Sequence, residues 1–322
     1  MAGHFEEFRF ESQDLDHPLT ARLFVPEKIT SRTGLATVVH AWGANRVNYD
    51  HLPGFFENRD LFFLQVEHRD SGYESEMGKE SGFGWNVPYE FGKRQAIDVL
   101  RAVHATLQRY DINRNRLFVA GGSGGGHNAL QAAAFAPNTF ALTVGMSPVT
   151  KPTSREDVEH GGYVKDAKPG RCAEAGYPFE NGWGGEGMAL GVDKHFSKEE
   201  LAIRNCQRPE HVAAIKCRVI LMHGFNEDLL DERHSIDMAQ ALARAGKSVE
   251  LHIEDTAKHG GGFSKPLPGF GQAGYLERYA GQHFEELETD GKTDFERRET
   301  IHIGNWRVTY TSGIPEIIGP SK

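Results

Sequence analysis

Short, unbroken runs of apolar residues recur along the chain and alternate with helical patterns. Runs rich in Val, Ile, Leu and Phe that end at Gly or His are typical of strands buried on both faces of a parallel sheet. Six such runs are LATVVHA (35–41), LFFLQV (61–66), RLFVAG (116–121), ALTVGM (141–146), RVILMHG (218–224) and SVELHIE (248–254). Two earlier strand-like runs, 4–12 and 19–27, predict an antiparallel pair at the start of the sheet.

Helical periodicity fills the gaps between these runs. Residues 93–110 place four apolar side chains on one stripe: Ile97, Leu100, Val103 and Leu107. Further helices are predicted at 124–136, 231–246 and 272–288. Strands that alternate with helices of this length need crossover connections, so the pattern predicts an α/β fold with a mostly parallel sheet covered on both faces.

Residues 150–210 break this alternation after the sixth strand, and they are rich in Gly, Lys, Glu and isolated aromatic residues. A connection of that length usually serves as a lid or a binding element. The tail at 297–313 is predicted to form a hairpin outside the core. We therefore predict a catalytic-size domain over 1–290, with a lid-like insertion at 150–210, and a hairpin-like extension over 291–322.

Composition narrows the class of protein. Of 322 residues, 39% are hydrophobic and 25% are charged, which is ordinary for a soluble globular chain. The 36 basic and 45 acidic residues give a net charge of −9, and basic and aromatic residues do not interleave, which argues against a nucleic-acid partner. No apolar run approaches the ~18 residues of a membrane span. The first residues also lack the apolar segment of a signal peptide.

The cysteines and histidines predict neither a metal nor a cofactor. The chain has no H-E-x-x-H motif, no cysteine pair at short spacing and only scattered histidines. Three cysteines are a sparse set that suits a reduced, cytoplasmic location, although a bridge between Cys172 and Cys206 stays open. The oligomeric state is left open.

The strongest chemical signal is Gly121-Gly122-Ser123-Gly124-Gly125, a G-x-S-x-G pattern between a predicted strand and a predicted helix. In a nucleophile elbow this turn lifts the serine hydroxyl clear of the sheet and points the next backbone N–H at the same place. A glycine-rich turn with an incidental serine is the plain alternative. The dinucleotide-like spacing from Gly124 to Ala129 lacks the acidic residue expected about 20 positions further on.

A serine hydroxyl needs a base, and the sequence offers one late in the chain. His259 follows the last core strand in a glycine-bearing loop, the position at which this kind of fold carries its histidine. The acid that orients it should follow the strand that ends at His223. Glu227 is favoured by register, and Asp228 is a serious alternative because the longer Glu side chain shifts the carboxylate by about 1.5 Å.

Acyl transfer also needs two N–H donors for the developing oxyanion. Gly124 supplies one. The loop after an early strand, His40-Ala41-Trp42-Gly43, is predicted to supply the other through the Trp42 amide. The Trp42 side chain can at the same time be a hydrophobic plug in that loop. His40 is interpreted as a structural hydrogen-bonding residue. His127 either contacts substrate or packs into the elbow helix. Weaker predictions of an aromatic substrate pocket concern Tyr73, Trp85 and Trp183.

With elbow, acid loop and histidine loop in this order, the chain resembles the α/β-hydrolase superfamily, and more narrowly its prolyl-oligopeptidase-type and esterase branch. Further segments that carry the likeness are HRDSGYES (68–75) and EFGKRQAIDVLRAV (90–103). The resemblance implies an eight-stranded, mostly parallel sheet and a triad of Ser123, His259 and Glu227 or Asp228. Glu at the acid position and Ala41 after His40 depart from the usual Asp and Gly.

Three functions compete. Too few residues precede the first core strand for the blades of a propeller, so the first hypothesis is a carboxylesterase-like serine hydrolase that cleaves a small-molecule ester. The alternative is a peptidase or amidase of the same branch, for which Glu180 and Glu186 are the candidates to hold a free amino terminus. A catalytically inert binding module on the same fold is the third.

Overall fold

The six apolar runs and the two earlier strand-like runs form one sheet in a computed structural model, which describes residues 3–41, 46–69, 90, 92–152, 196–225, 230–255 and 274–320. Its strands are β1 (His4–Phe10), β2 (Leu19–Val25), β3 (Gly34–Val39), β4 (Leu61–Val66), β5 (Leu117–Gly122), β6 (Leu142–Met146), β7 (Arg218–Gly224) and β8 (Val249–Glu254).

The strand order is β1-β2-β4-β3-β5-β6-β7-β8. The pairs β1–β2 and β2–β4 are antiparallel, and every other pair in this sheet is parallel. This confirms the predicted eight-stranded, mostly parallel sheet with an antiparallel pair at its start. Because β3 and β5 to β8 run in the same direction, the loops that follow them all leave from one edge of the sheet.

Helices cover both faces of the sheet, as predicted. They are α1 (Pro53–Glu57), α2 (Lys93–Leu107), α3 (Gly124–Phe135), α4 (Lys198–Ile203), α5 (Pro209–Ala214), α6 (Arg233–Arg244), α7 (Tyr275–Glu286) and α8 (Asp294–Arg297). Helices α2, α3 and α6 share one apolar core with one side of the strands, and α1 and α7 share a second core with the other side. The stripe predicted on α2, from Ile97 to Leu107, is buried in the first core.

The insertion predicted at 150–210 is described only at its ends, since residues 153–195 lie outside the described ranges. From residue 196 onward the chain already belongs to the body of the domain. Ile203 at the end of α4, Cys206 in the turn after it and Val212 in α5 belong to the core beside α3. The buried Arg204 side chain forms an ion pair with Glu90, just before α2.

The tail contains one more strand than the predicted hairpin. Strands β9 (Ile301–Ile303), β10 (Trp306–Thr311) and β11 (Ile314–Ile318) form a separate three-stranded antiparallel sheet. Along β10, the buried residues Trp306, Val308 and Tyr310 alternate with exposed or half-buried neighbours. These three side chains belong to the first core, so this sheet does not lie outside the core as predicted. The Tyr310 hydroxyl donates to the Phe135 carbonyl, at the end of α3, over 2.7 Å.

Two of the three cysteines, Cys206 and Cys217, are buried free thiols, while Cys172 lies outside the described residues. Burial raises the pKa of the Cys217 thiol to about 11, so it is protonated at neutral pH. None of the helices within the described ranges has the length and apolar character needed to cross a bilayer.

Acidification is expected to destabilise the domain through His211 on α5. This side chain is 1% exposed and its Nε2 donates to the Ile203 carbonyl over 2.8 Å. Burial lowers its pKa from 6.5 to about 4. The unfolded chain therefore binds one more proton than the folded chain between these values. Stability from this group is complete above pH 6.5 and falls by about 1.4 kcal/mol per pH unit towards pH 4.

The variant His211→Gln keeps a donor for the Ile203 carbonyl but does not titrate. Urea unfolding at pH 7 and pH 4.5 should show a shallower loss of stability for the variant than for the parent. Burial also lowers the pKa of His234 to about 3, so both proteins lose some stability in acid and the difference between them is the quantity to measure. Equal loss in the two proteins would contradict this assignment.

Candidate active site

Ser123 occupies a tight turn between β5 and α3, in a backbone conformation that residues with a side chain rarely adopt. Its φ is 54° and its ψ is −122°. Such a conformation costs on the order of 1–3 kcal/mol and persists only where the surroundings hold it. Here the Ser123 N–H donates to the Met146 carbonyl over 2.8 Å, and its carbonyl accepts from the amides of His127 and Val149 at 3.2 Å each. These hydrogen bonds fix the strained turn.

The glycines on either side of Ser123 are required by close backbone contacts. A Cβ added to Gly121 would lie 2.3 Å from the carbonyl carbon and oxygen of Gly125. A Cβ on Gly125 would lie 2.0 Å from the Val39 carbonyl oxygen, at the end of β3. No real Cβ approaches backbone this closely, so the spacing of the glycines matches the packing of a nucleophile elbow.

Gly124 and His127 belong to the first turn of α3. Gly124 is the first residue of the helix, where a backbone N–H has no acceptor within the helix, and the positive end of the helix lies at the same place. His127 is 1% exposed and its Nδ1 donates to the Val149 carbonyl over 2.8 Å. The described contacts of His127 are thus structural, within the packing around the elbow.

The remaining site residues from the sequence lie outside the described ranges. They are Trp42, Tyr73, Trp85, Trp183, Glu227, Asp228 and His259. Their roles therefore stay predictions. The described strands do show where the three segments that contain Trp42, the two acid candidates and His259 begin. Strands β3, β7 and β8 precede Trp42, the acid candidates and His259, and they end at the same edge of the sheet as β5.

The residues that flank the acid loop are held to the body of the domain. At its start, the Phe225 amide donates to the Glu254 carbonyl over 2.8 Å, which joins the ends of β7 and β8. His223 is fully buried, with its Nδ1 2.9 Å from the Ser235 hydroxyl and its Nε2 3.4 Å from the Leu230 carbonyl. Both ends of the loop are therefore anchored in the described structure.

Two residues beside the elbow were missed by the sequence analysis. The buried Tyr49 places its hydroxyl 3.0 Å from the position of a Cβ on Gly122, the residue before Ser123. Burial raises the pKa of this phenol to about 12, so it stays neutral. His68 stacks on His40, and burial lowers the pKa of both imidazoles. The sequence shows His68 just after a predicted strand. It does not show that His68 stacks on His40, because that contact depends on β4 lying next to β3.

Metal-assisted chemistry has no candidate in the described ranges. No group of three or more His, Cys, Asp or Glu side chains is arranged there to hold a metal ion. The chemistry available to the described site is that of a serine hydroxyl presented at the N-terminus of a helix.

A mostly parallel sheet of this topology, with a serine in a strained turn between its fifth strand and the next helix, defines an α/β-hydrolase of the serine hydrolase class. Residues 49–268, more than half of the chain, match the prolyl oligopeptidase family. The chain belongs to this family, as its resemblance in sequence predicted.

Among curated proteins, the chain is similar to the dipeptidyl peptidase family member 6 of Caenorhabditis elegans, with 32% identity over 122 residues. That match covers 37% of this chain and 15% of the relative. The chain thus spans only a small part of the length of this relative.

Solved structures share the fold. A Pyrococcus horikoshii acylaminoacyl peptidase aligns with a TM-score of 0.61 and 17% identity, over 80% of this chain and 38% of that protein. A Mycobacterium tuberculosis puromycin-hydrolyzing peptidase gives a TM-score of 0.63 and 17% identity, over 88% of this chain and 40% of that one. Porphyromonas gingivalis dipeptidyl peptidase 4 aligns with a TM-score of 0.62 and 14% identity, over 88% of this chain and 36% of that protein. The chain spans less than half of each.

Proposed function

We propose that this chain is the catalytic domain of a serine peptidase that hydrolyses an amide bond in short peptides through an acyl-serine intermediate. The observation that carries the proposal is the strained Ser123 at the elbow of a chain that belongs to the prolyl oligopeptidase family. The similar proteins named above are peptidases by name, which supports the peptidase alternative over the ester-hydrolase interpretation.

In the proposed reaction, the Ser123 Oγ attacks the carbonyl carbon of the scissile bond while His259 accepts its proton. The backbone amides of Gly124 and Trp42 stabilise the oxyanion. His259 then gives the proton to the leaving amine and activates a water molecule that hydrolyses the acyl-serine. Glu227 orients His259, with Asp228 as the alternative. The shared edge at which β3, β5, β7 and β8 end supports this set of residues.

Ester hydrolysis uses the same intermediate but is chemically easier, because an alcohol leaves more readily than an amine. Turnover of an activated ester alone therefore does not distinguish a peptidase from an esterase. The informative comparison holds the acyl group constant and changes only the leaving group.

We expect the protein to cleave both an N-acetyl-alanine anilide and the matching aryl ester. An acyl-Ser123 adduct should be detectable by intact mass. The measurement is kcat/KM for both substrates, and for dipeptide anilides with free and acetylated amino termini. Turnover of the ester without cleavage of any anilide or peptide would restore the carboxylesterase interpretation. Failure of Ser123 to react with a fluorophosphonate would instead favour the inert binding module.

A further inference from the structure

Two imidazole rings stack at the carboxyl end of β3, next to the serine turn. The ring centroids of His40 and His68 are 4.1 Å apart and their planes differ by 16°. The two side chains are 1% and 0% exposed. His40 directly follows β3, and His68 comes two residues after β4, the neighbouring parallel strand. The stack therefore joins the ends of two adjacent strands.

Each ring contacts a backbone carbonyl in the same stretch of chain. His40 Nδ1 lies 2.9 Å from the Ala41 carbonyl oxygen, and His68 Nε2 lies 3.1 Å from the His40 carbonyl oxygen. A carbonyl oxygen can only accept, so a ring nitrogen that forms a hydrogen bond with it must carry the proton. Two successive carbonyls after β3 are thus each held by one imidazole.

The proton of His68 is best placed on Nε2. Its Nδ1 also lies 3.1 Å from a carbonyl, that of Arg69. Burial lowers the pKa of His68, so the ring is neutral at pH 7 and carries one proton for two carbonyls. The Arg69 carbonyl already accepts from Gln95 Nε2 at 2.8 Å. The single proton therefore contributes most as a donor to the His40 carbonyl.

The carbonyl that His68 holds also touches the elbow helix. A Cβ on Gly125 would lie 2.7 Å from the His40 carbonyl oxygen and 2.0 Å from that of Val39. Gly125 is two residues from Ser123. Because a trans peptide is planar, with its C=O and N–H pointing in opposite directions, a group that fixes a carbonyl also fixes the amide that follows. The Ala41 carbonyl and the Trp42 amide belong to one such plane.

We propose that His40 and His68 are positioning residues for acyl transfer, which fix the two peptide planes that lead to the oxyanion-binding amide of Trp42. The inference rests on the proposed function. Both rings are buried, so they act through the backbone that they hold. An amide whose plane has rotated away cannot stabilise the oxyanion, so loss of either hydrogen bond should lower the rate of the chemical step.

Replacing each histidine in turn with Asn and with Gln tests the assignment. The amide nitrogen of Asn reaches roughly where Nδ1 of His lies, and that of Gln roughly where Nε2 lies. His40→Asn and His68→Gln should therefore keep kcat within about threefold of the parent. His40→Gln and His68→Asn should lower kcat by about 10- to 100-fold with little change in KM, because the affected interaction forms in the transition state.

Hydrogen exchange of the peptide covering residues 40–47 gives a readout that needs no catalysis. The amides of this peptide should exchange faster in His40→Gln and His68→Asn than in the parent, and at the rate of the parent in His40→Asn and His68→Gln. If the parent does not react at Ser123, the proposed function fails while the exchange order still tests the two imidazoles. The inference is overturned if all four variants match the parent, or if Asn and Gln have equal effects at each position, including equal loss of folding.

Discussion

Replacing Ser123 with alanine is expected to abolish labelling by a fluorophosphonate and to lower kcat for peptide hydrolysis by about 10⁴- to 10⁶-fold. The hydroxyl is the only group that the substitution removes, and the hydrogen bonds that fix the turn come from the backbone of residue 123. The folded structure should therefore survive, with a melting temperature within about 2 °C of the parent. The measurements are intact mass after labelling, steady-state kinetics and circular dichroism.

A matched control is available in Ser248→Ala, which makes the same change on the exposed loop before β8. This variant should label and turn over as the parent does. Full labelling of Ser123→Ala at another residue would show that the nucleophile lies elsewhere, and the proposed function would then be wrong.

Gly125→Ala is expected to be the most damaging small substitution near the elbow. The new methyl group would lie 2.0 Å from the Val39 carbonyl and 2.7 Å from that of His40, and both neighbours are backbone atoms in or beside the central strand β3. Overpacking of this kind costs about 3 kcal/mol or more, which corresponds to a fall in melting temperature of roughly 5–10 °C. A displacement of about 1 Å at Ser123 would also reduce the rate about 100-fold.

Gly122→Ala provides the comparison within the same turn. Its Cβ would lie 3.0 Å from the Tyr49 hydroxyl, the tip of a side chain, and 3.7 Å from the Met146 carbonyl oxygen. A side-chain tip can move by a few tenths of an ångström, so a loss of under about 1 kcal/mol is expected. Equal melting temperatures and rates for the two variants would contradict the elbow packing described above.

Much of the sheet could be predicted because its inner strands, β2 to β7, are buried along almost their whole length. A continuous apolar run such as Leu61–Val66 has few alternatives to a strand buried on both faces, and the stripe on α2 has one consistent helical solution. The strand order could not be obtained in this way. That β3 lies between β4 and β5 depends on contacts between segments that are distant in the sequence. The periodicity of apolar residues within one segment carries no information about such contacts.

The same limit explains which site features were missed. Ser123 was predictable because the elbow is a local motif whose glycines and helix follow one another directly. The contacts of His68 with His40, and of Tyr49 with Gly122, join residues that only the strand order brings together. In the tail, the alternation of Trp306, Val308 and Tyr310 was visible in the sequence. The tail was nevertheless predicted to lie outside the core, because the core surface that this face meets is formed by distant segments of the chain.

The small terminal sheet has a practical consequence for handling the protein. Tyr310 donates a hydrogen bond to the far end of α3, the helix that follows Ser123, and Trp306 and Val308 cover apolar side chains of the core. A truncation at residue 290 would thus expose apolar side chains of the core that this sheet covers. Expression boundaries should retain the chain at least through Ile318, since a shortened version would invite aggregation even with every reactive group intact.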